Sequence, residues 1–201
     1  MNQLLKSISY IFHPLFMPLI GVLFYFSKAP RFIPPPIIKA KILALFLLSV
    51  ILPILMFFLL KTMKRIKSMH LETARERVIP LIIFIFIIIL IMNRVFPSNE
   101  LIEPYYFMVG ILGSTISCLI LALLKIKASI HMMAIGGVLM FFIALGIHFN
   151  INIIGSIALI FIIAGAVASS RLHLRAHSAI EIVIGFFIGL LPQLVILNYW
   201  L

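Results

Sequence analysis

The stretch Leu81-Ile82-Ile83-Phe84-Ile85-Phe86-Ile87-Ile88-Ile89-Leu90 contains no polar residue and no alternation of polar with apolar positions. A strand of a membrane barrel alternates lipid-facing with lumen-facing residues over about ten positions. The stretch therefore reads as part of a helix that crosses a bilayer. It extends over 78–95, and six runs of similar length flank it at about 8–26, 42–60, 105–124, 132–149, 151–169 and 180–201. Each is near the ~20 helical residues that cover a hydrocarbon core of ~30 Å. The 201 residues are 64% hydrophobic and 10% charged, with a mean hydropathy of +1.29. So much apolar surface cannot be hidden in a core this small, which excludes a soluble enzyme, a nucleic-acid reader and a disordered tail. The expected fold class is all-α, a polytopic membrane helical bundle of six to seven spans, about seven. It forms a single integral membrane domain over 1–201, with the motif-bearing core at about 68–201.

The first run carries Pro14 and Pro18 and has no small-residue cleavage site behind it. It reads as a kinked first span rather than a removed signal. The loop 27–41 is stiffened by Pro34-Pro35-Pro36, and His148-Phe149-Asn150-Ile151-Asn152 is a tight connection that makes spans five and six an antiparallel hairpin. Tyr105, Tyr106, Tyr199 and Trp200 fall at span ends, where amphipathic rings anchor at headgroup level. Gly136-Gly137 allows close helix contact. The single cysteine, Cys118, excludes an intramolecular disulfide and a cysteine metal cluster.

Sixteen Lys and Arg face five acids, all Glu, for a net charge of +11. Ionisable groups near spans are expensive, so their placement is informative. Three clusters stand out: Arg75-Glu76-Arg77 with Pro80, Lys127-Ala128-Ser129-Ile130-His131, and Ser170-Arg171-Leu172-His173-Leu174-Arg175-Ala176-His177-Ser178-Ala179-Ile180-Glu181. They follow spans two, four and six, so a seven-span count puts all three on one membrane face. Pooled, they offer Arg75, Arg77, Lys127, Arg171 and Arg175 around one point. Planar arginine forks match phosphate oxygens, and helix N-termini add backbone donors. The ligand implied is a phosphate. His177 and Glu181 are four apart on one helical face, so the carboxylate can hold one ring nitrogen and leave the other as nucleophile or base. His131 is a separate candidate acid.

The third cluster resembles the third motif of the type 2 phosphatidic acid phosphatase superfamily of membrane lipid phosphatases and related haloperoxidases. Ser170-Arg171, five residues, His177, three residues, Glu181 follows that family's Ser-Arg-x5-His-x3-Asp with Glu for Asp. Its second motif, Pro-Ser-Gly-His, is half kept as Ala128-Ser129-Ile130-His131. Its first, Lys-x6-Arg-Pro, is not matched: Lys67 lies eight residues before Arg75 instead of seven, and Pro80 follows Arg77 by three. The resemblance implies a divergent bacterial member that needs no cofactor and no metal. In it His177 would be the nucleophile forming a phosphohistidine, Glu181 its orienting carboxylate, and His131 the acid for the leaving group. Ser129, Ser170, Arg171 and one or both of Arg75 and Arg77 would hold phosphoryl oxygens, with Lys127 in place of the missing lysine. Ile130 stands where the family has glycine and would narrow the phosphate cradle. Glu181, one methylene longer than Asp, would shift the imidazole unless its helix compensates.

Each residue also has a plainer reading. Arg171 and Arg175 can bind anionic lipid from a headgroup loop, Ser129 and His131 can cap a helix, and Lys127 can snorkel to the interface. Arg75 and Arg77 can open a surface helix with Glu72 and Glu76 as partners. His13 and His148 read as interfacial or packing residues, and His70 as part of a basic loop. His173, His177 and Glu181 at i, i+4, i+8 would make three metal ligands on one helical face, but two interleaved arginines repel a divalent cation. The cluster face carries 11 Lys and Arg against 5 on the other, which by the positive-inside rule is cytoplasmic. Five of the 11 are candidate phosphate ligands, and without them the rule decides nothing; the family's bacterial members usually act from the extracytoplasmic face. The leading expectation is a multi-pass protein of a bacterial-type cytoplasmic (inner) membrane, hydrolysing a phosphomonoester or diphosphate of a polyprenyl lipid or glycerolipid. Its partners are membrane lipids and that substrate, not nucleic acid. The alternative is a catalytically inactive relative that binds anionic lipid or scaffolds a partner. A transporter fits less well, because only Glu181 enters a span and the charges gather at one face.

Overall fold

The computed structural model describes residues 2–64 and 73–201; Lys67, His70 and Glu72 lie outside the described residues. Among the described residues, seven helical segments are long and apolar enough to cross a membrane: Leu5–Lys28, Pro35–Thr62, Ala74–Arg94, Ile102–Leu123, Ile130–His148, Ile154–His173 and Ala179–Tyr199. The protein is an all-α multi-pass membrane bundle.

The first span is broken, as its prolines require. Helix α1 (Asn2–Ile11) ends before His13, whose backbone is extended at φ −68°, ψ 140°. Pro14 then opens a 3₁₀ turn, Pro14–Phe16, that leads into α2 (Met17–Lys28). A proline has no N–H to continue the helical ladder and fits only at the start of a new turn. The same chemistry corrects the expected second span. Pro35 and Pro36 form the first turn of α3 (Pro35–Phe46) and are not a loop stiffener, because first-turn N–H groups have no helical partner to lose. The span continues through a π-turn, Leu47–Ile51, into α4 (Leu52–Thr62). There the Leu52 N–H reaches back five residues to Leu47 O, immediately before Pro53. The wide turn accommodates a residue that cannot donate.

The remaining spans are α5 (Ala74–Arg94), α6 (Ile102–Leu123), α7 (Ile130–His148), α8 (Ile154–His173) and α9 (Ala179–Val195), the last extended by a 3₁₀ turn, Leu197–Tyr199. Helix α7 is the central post. Two-thirds (67%) of its membrane window is buried, against 22–39% in the other six. Phe141 stacks on Phe107 of α6 at 4.1 Å between ring centroids, and Phe142 stacks on Phe24 of α2 at 3.6 Å. Outward-facing Phe86, Leu159 and Ile162 stay exposed, as lipid contact allows.

The closest helix pair is α7 with α9, and glycines make it possible. A Cβ on Gly189 would overlap Met133 O and lie 2.9 Å from the Gly137 N, while one on Gly185 would overlap Ser129 O. One on Gly136 would overlap Phe186 O, so the expected role of that glycine holds.

At the end of the bundle away from the clusters, Glu103 in the first turn of α6 is fully buried. Arg31 pairs with its Oε1, His148 Nε2 lies 3.3 Å from the same oxygen, and the Tyr25 hydroxyl donates to Oε2 at 3.2 Å. This corrects one expectation: Glu181 is not alone among acids in entering a span. His148 packs against Phe149 and Trp200 at 4.8 and 5.2 Å between ring centroids, as a packing residue, and also borders the Glu103 carboxylate. Nearby, Lys41 donates to Val95 O and to Glu100, both at 2.6 Å.

Candidate functional site

The three clusters converge, as the count of crossings requires. Arg77 donates to Ala128 O, Lys127 donates to Ala176 O at 3.0 Å, and Ser129 N–H donates to Glu181 O at 2.9 Å. Each bond joins segments more than 45 residues apart, so the starts of α5, α7 and α9 are held as one rigid corner.

The turn between α8 and α9 aims the histidine. Helix α8 closes with Ala176 N–H on Arg171 O and Arg175 N–H on Leu172 O, and Arg175 takes the left-handed conformation at φ 51°. This is the helix-ending motif that usually employs glycine. It reverses the chain so that Ser178 can cap α9. Ser178 Oγ accepts from Glu181 N–H, and the Glu181 carboxylate accepts from Ser178 N–H, each at 3.3 Å. Such a capping box favours Glu at the third helical position. The same carboxylate oxygen, Oε2, lies 2.6 Å from His177 Nδ1. A carboxylate accepts, so Nδ1 carries the proton and Nε2 holds the lone pair. One carboxylate oxygen thus serves both the helix cap and the imidazole. His177 and His173 do not share a helix, because the chain turns between them; the one-face metal arrangement is not formed. Among the described residues no group of three His, Cys, Asp or Glu could hold a metal ion.

His177 is 7% exposed and lies between the membrane-spanning helices. Burial holds its imidazole down to about 4; the Glu181 bond works in the opposite direction, while the Arg77 and Lys127 cations depress it further. At neutral pH the ring is uncharged and Nε2 is available.

A cavity of about 970 Å³ opens beside this imidazole. Its polar end is lined by Lys6, Arg77, Lys127, His131, Arg171, Arg175 and His177, and no Asp or Glu is among its described lining residues. The Arg171 Nε is buried without a hydrogen-bond partner among the described residues. The cavity then continues between the spans over an apolar wall that includes Phe57, Leu60, Phe84, Ile87 and Phe107. A cationic mouth and an apolar interior suit an amphiphilic anion.

Several sequence candidates are placed elsewhere. Arg75 is exposed and does not line the cavity. Ser129 is fully buried, and its hydroxyl accepts from Met132 N–H at 3.5 Å as the cap of α7, its plainer role. Ser170 is also fully buried and is turned toward α1: its Oγ donates to Leu5 O and lies 2.7 Å from Ser9 Oγ. Ile130 borders the cavity. Lys6, Ser9 and His13 were not singled out for the site, yet all three line it. Their i, i+3, i+7 spacing on an amphipathic segment was the available signal.

The chain matches no family model, no curated protein and no solved structure. What the pocket can do must be read from its own chemistry.

Proposed function

We propose that the protein is a phosphatase of lipid phosphates or diphosphates, a divergent relative of the type 2 phosphatidic acid phosphatases in a bacterial-type inner membrane. One observation carries this reading: His177, its Nδ1 fixed by Glu181, faces a cavity lined by five Lys and Arg and no described acid. In the proposed reaction His177 Nε2 attacks phosphorus, the bond from phosphorus to the leaving oxygen breaks, and that oxygen takes a proton from the imidazolium form of His131, which is left neutral. Water then gives a proton back to the neutral His131 as it attacks the phosphohistidine, the P–N bond breaks, and inorganic phosphate leaves. Such transfer is largely positioning and charge stabilisation, which Arg77, Lys127 and Arg171 can supply. The apolar part of the cavity would accept the lipid tail.

The arrangement of His131 favours a second reading, a lipid-binding relative without turnover. Its Nε2 is 3.2 Å from the carbonyl of Ser9 and not directed to an open position. The deciding experiment is phosphate release from a panel of lipid phosphates and diphosphates by purified protein in EDTA. Release that His177→Ala and Arg171→Ala both abolish supports catalysis. Binding of the same lipids with no release above the His177→Ala background leaves the binding reading.

A further inference from the structure

We propose that helix α1 is a lid on the cationic cavity, and that a bound phosphoryl group lifts it by competing for the imidazole N–H of His131. The proposal rests on the anion-binding reading of the cavity given above. Lys6, Ser9, Tyr10 and His13 project from α1 and its hinge at i, i+3, i+4 and i+7, and all line the cavity. This face is docked by polar contacts. Ser170 Oγ donates to Leu5 O at 2.7 Å. A serine hydroxyl has one proton, so the 2.7 Å contact between Ser9 and Ser170 must be donated by Ser9.

The third contact is the consequential one. A carbonyl can only accept, so the 3.2 Å contact between His131 Nε2 and Ser9 O places the ring proton on Nε2. In the neutral ring Nδ1 then has no proton to give. While α1 is docked, the one N–H of His131 is directed at main chain and cannot reach a phosphoryl or leaving oxygen. A phosphate that draws this N–H away removes a docking bond of α1.

The chain is built to let α1 move. Helix α1 ends at Ile11, His13 is extended, and Pro14 cannot donate across the break, so no helical ladder ties α1 to α2. On the outer side Ile11, which does not line the cavity, is 63% exposed. The helix packs chiefly on α8, the element that also carries Ser170 and Arg171.

The test uses the full chain in detergent with Cys118→Ala and Ser9→Cys, following alkylation of the new thiol by a maleimide. Two probes are added separately, inorganic phosphate and dioctanoyl phosphatidic acid, and their binding is measured by calorimetry on the same samples. The docked thiol is buried, so a lid predicts that a saturating probe speeds alkylation by tenfold or more. Acceleration by both probes assigns the trigger to the phosphate group, and acceleration by the lipid alone assigns it to headgroup and tail together. Binding with unchanged or slower alkylation overturns the lid and leaves the anion site standing. No binding of either probe overturns both. An Ile11→Cys control on the same background should react rapidly with or without probe. As a second measurement, Ser9→Cys with Ser170→Cys can form a disulfide across the 2.7 Å contact. Its oxidised form should bind dioctanoyl phosphatidic acid at least tenfold more weakly than its reduced form, and equal affinities would overturn the lid.

Discussion

Replacing Gly185 with Ala tests whether the α7–α9 seam positions the histidine. The added Cβ would overlap Ser129 O and lie 2.9 Å from Ser129 N. Both neighbours are main chain, so no side chain can swing aside and the helices themselves must separate. Overpacking of this kind costs about 1–3 kcal/mol, and Gly185→Ala and Gly189→Ala should both fall in that range. The rest of the glycine set supplies the controls. At Gly137 a Cβ would meet its nearest neighbour at 3.5 Å, an ordinary contact, and at Gly165 it would meet nothing within 4 Å. Gly165→Ala should therefore gain up to ~1 kcal/mol from helix propensity, and Gly137→Ala should be near neutral. The Gly185 change has a second consequence, because Ser129 N is the donor to Glu181 O. Displacing it moves the start of α9, so Gly185→Ala should lose more anion binding than Gly189→Ala, one turn farther from His177. The assays are thermal unfolding in detergent and calorimetric binding of dioctanoyl phosphatidic acid. Equal stability of Gly185→Ala and Gly165→Ala would refute the packing argument. Normal binding by a destabilised Gly185→Ala would refute its link to the site.

If His177 is the nucleophile, phosphate release should persist well below the usual imidazole range and fall only as pH approaches about 4, where the ring becomes protonated. Lys127→Met removes a cation that depresses that value, so its acid limb should move to higher pH; Glu181→Gln removes the group that raises it, so its limb should move lower while the rate drops. Arg171→Lys keeps the charge but loses the planar fork, and should weaken binding of dioctanoyl phosphatidic acid about 10–100-fold by calorimetry. Arg75→Gln, at an exposed position outside the cavity, should change it less than about twofold. Glu103→Gln should cost about 1–3 kcal/mol in detergent unfolding, less than a wholly buried pair because Arg31 is 41% exposed. It lies at the opposite end of the bundle, so phosphate release per folded molecule should be unchanged.

The seven spans were legible because a bilayer demands long uninterrupted apolar runs, and span ends shifted by four residues or fewer except at the start of the second span, which lies seven residues earlier at Pro35. The departures were local and proline-driven, at Pro35-Pro36 and at the π-turn before Pro53. In the site, His177 and Glu181 were legible because one capped helix start holds both. The difference between Arg75 and Arg77 could also have been read: positions two apart in a helix lie about 200° apart around its axis, so one side chain faces inward when the other faces out. The contribution of α1 was not legible. Ser9 meets Ser170 and His131 across separations of 161 and 122 residues, and no local pattern encodes such a contact.

The way the site is held together bears on its purpose. Its corner is joined by bonds from Arg77 and Lys127 to main-chain carbonyls, which orient those side chains without adding negative charge. The Glu181 carboxylate stands behind the imidazole, engaged by His177 and by its own helix cap, and does not line the cavity. A bundle assembled for stability alone has no reason to leave Arg171 Nε buried without a partner among the described residues, since an unsatisfied buried donor costs about 1–3 kcal/mol. An anion in the cavity would repay that cost by accepting from Arg171 within a low-dielectric surround. Because a ligand that binds only the folded state stabilises it, saturating phosphate or lipid phosphate should raise the unfolding midpoint, and Arg171→Ala should abolish the rise. A rise that survives Arg171→Ala would place the anion somewhere other than this cavity.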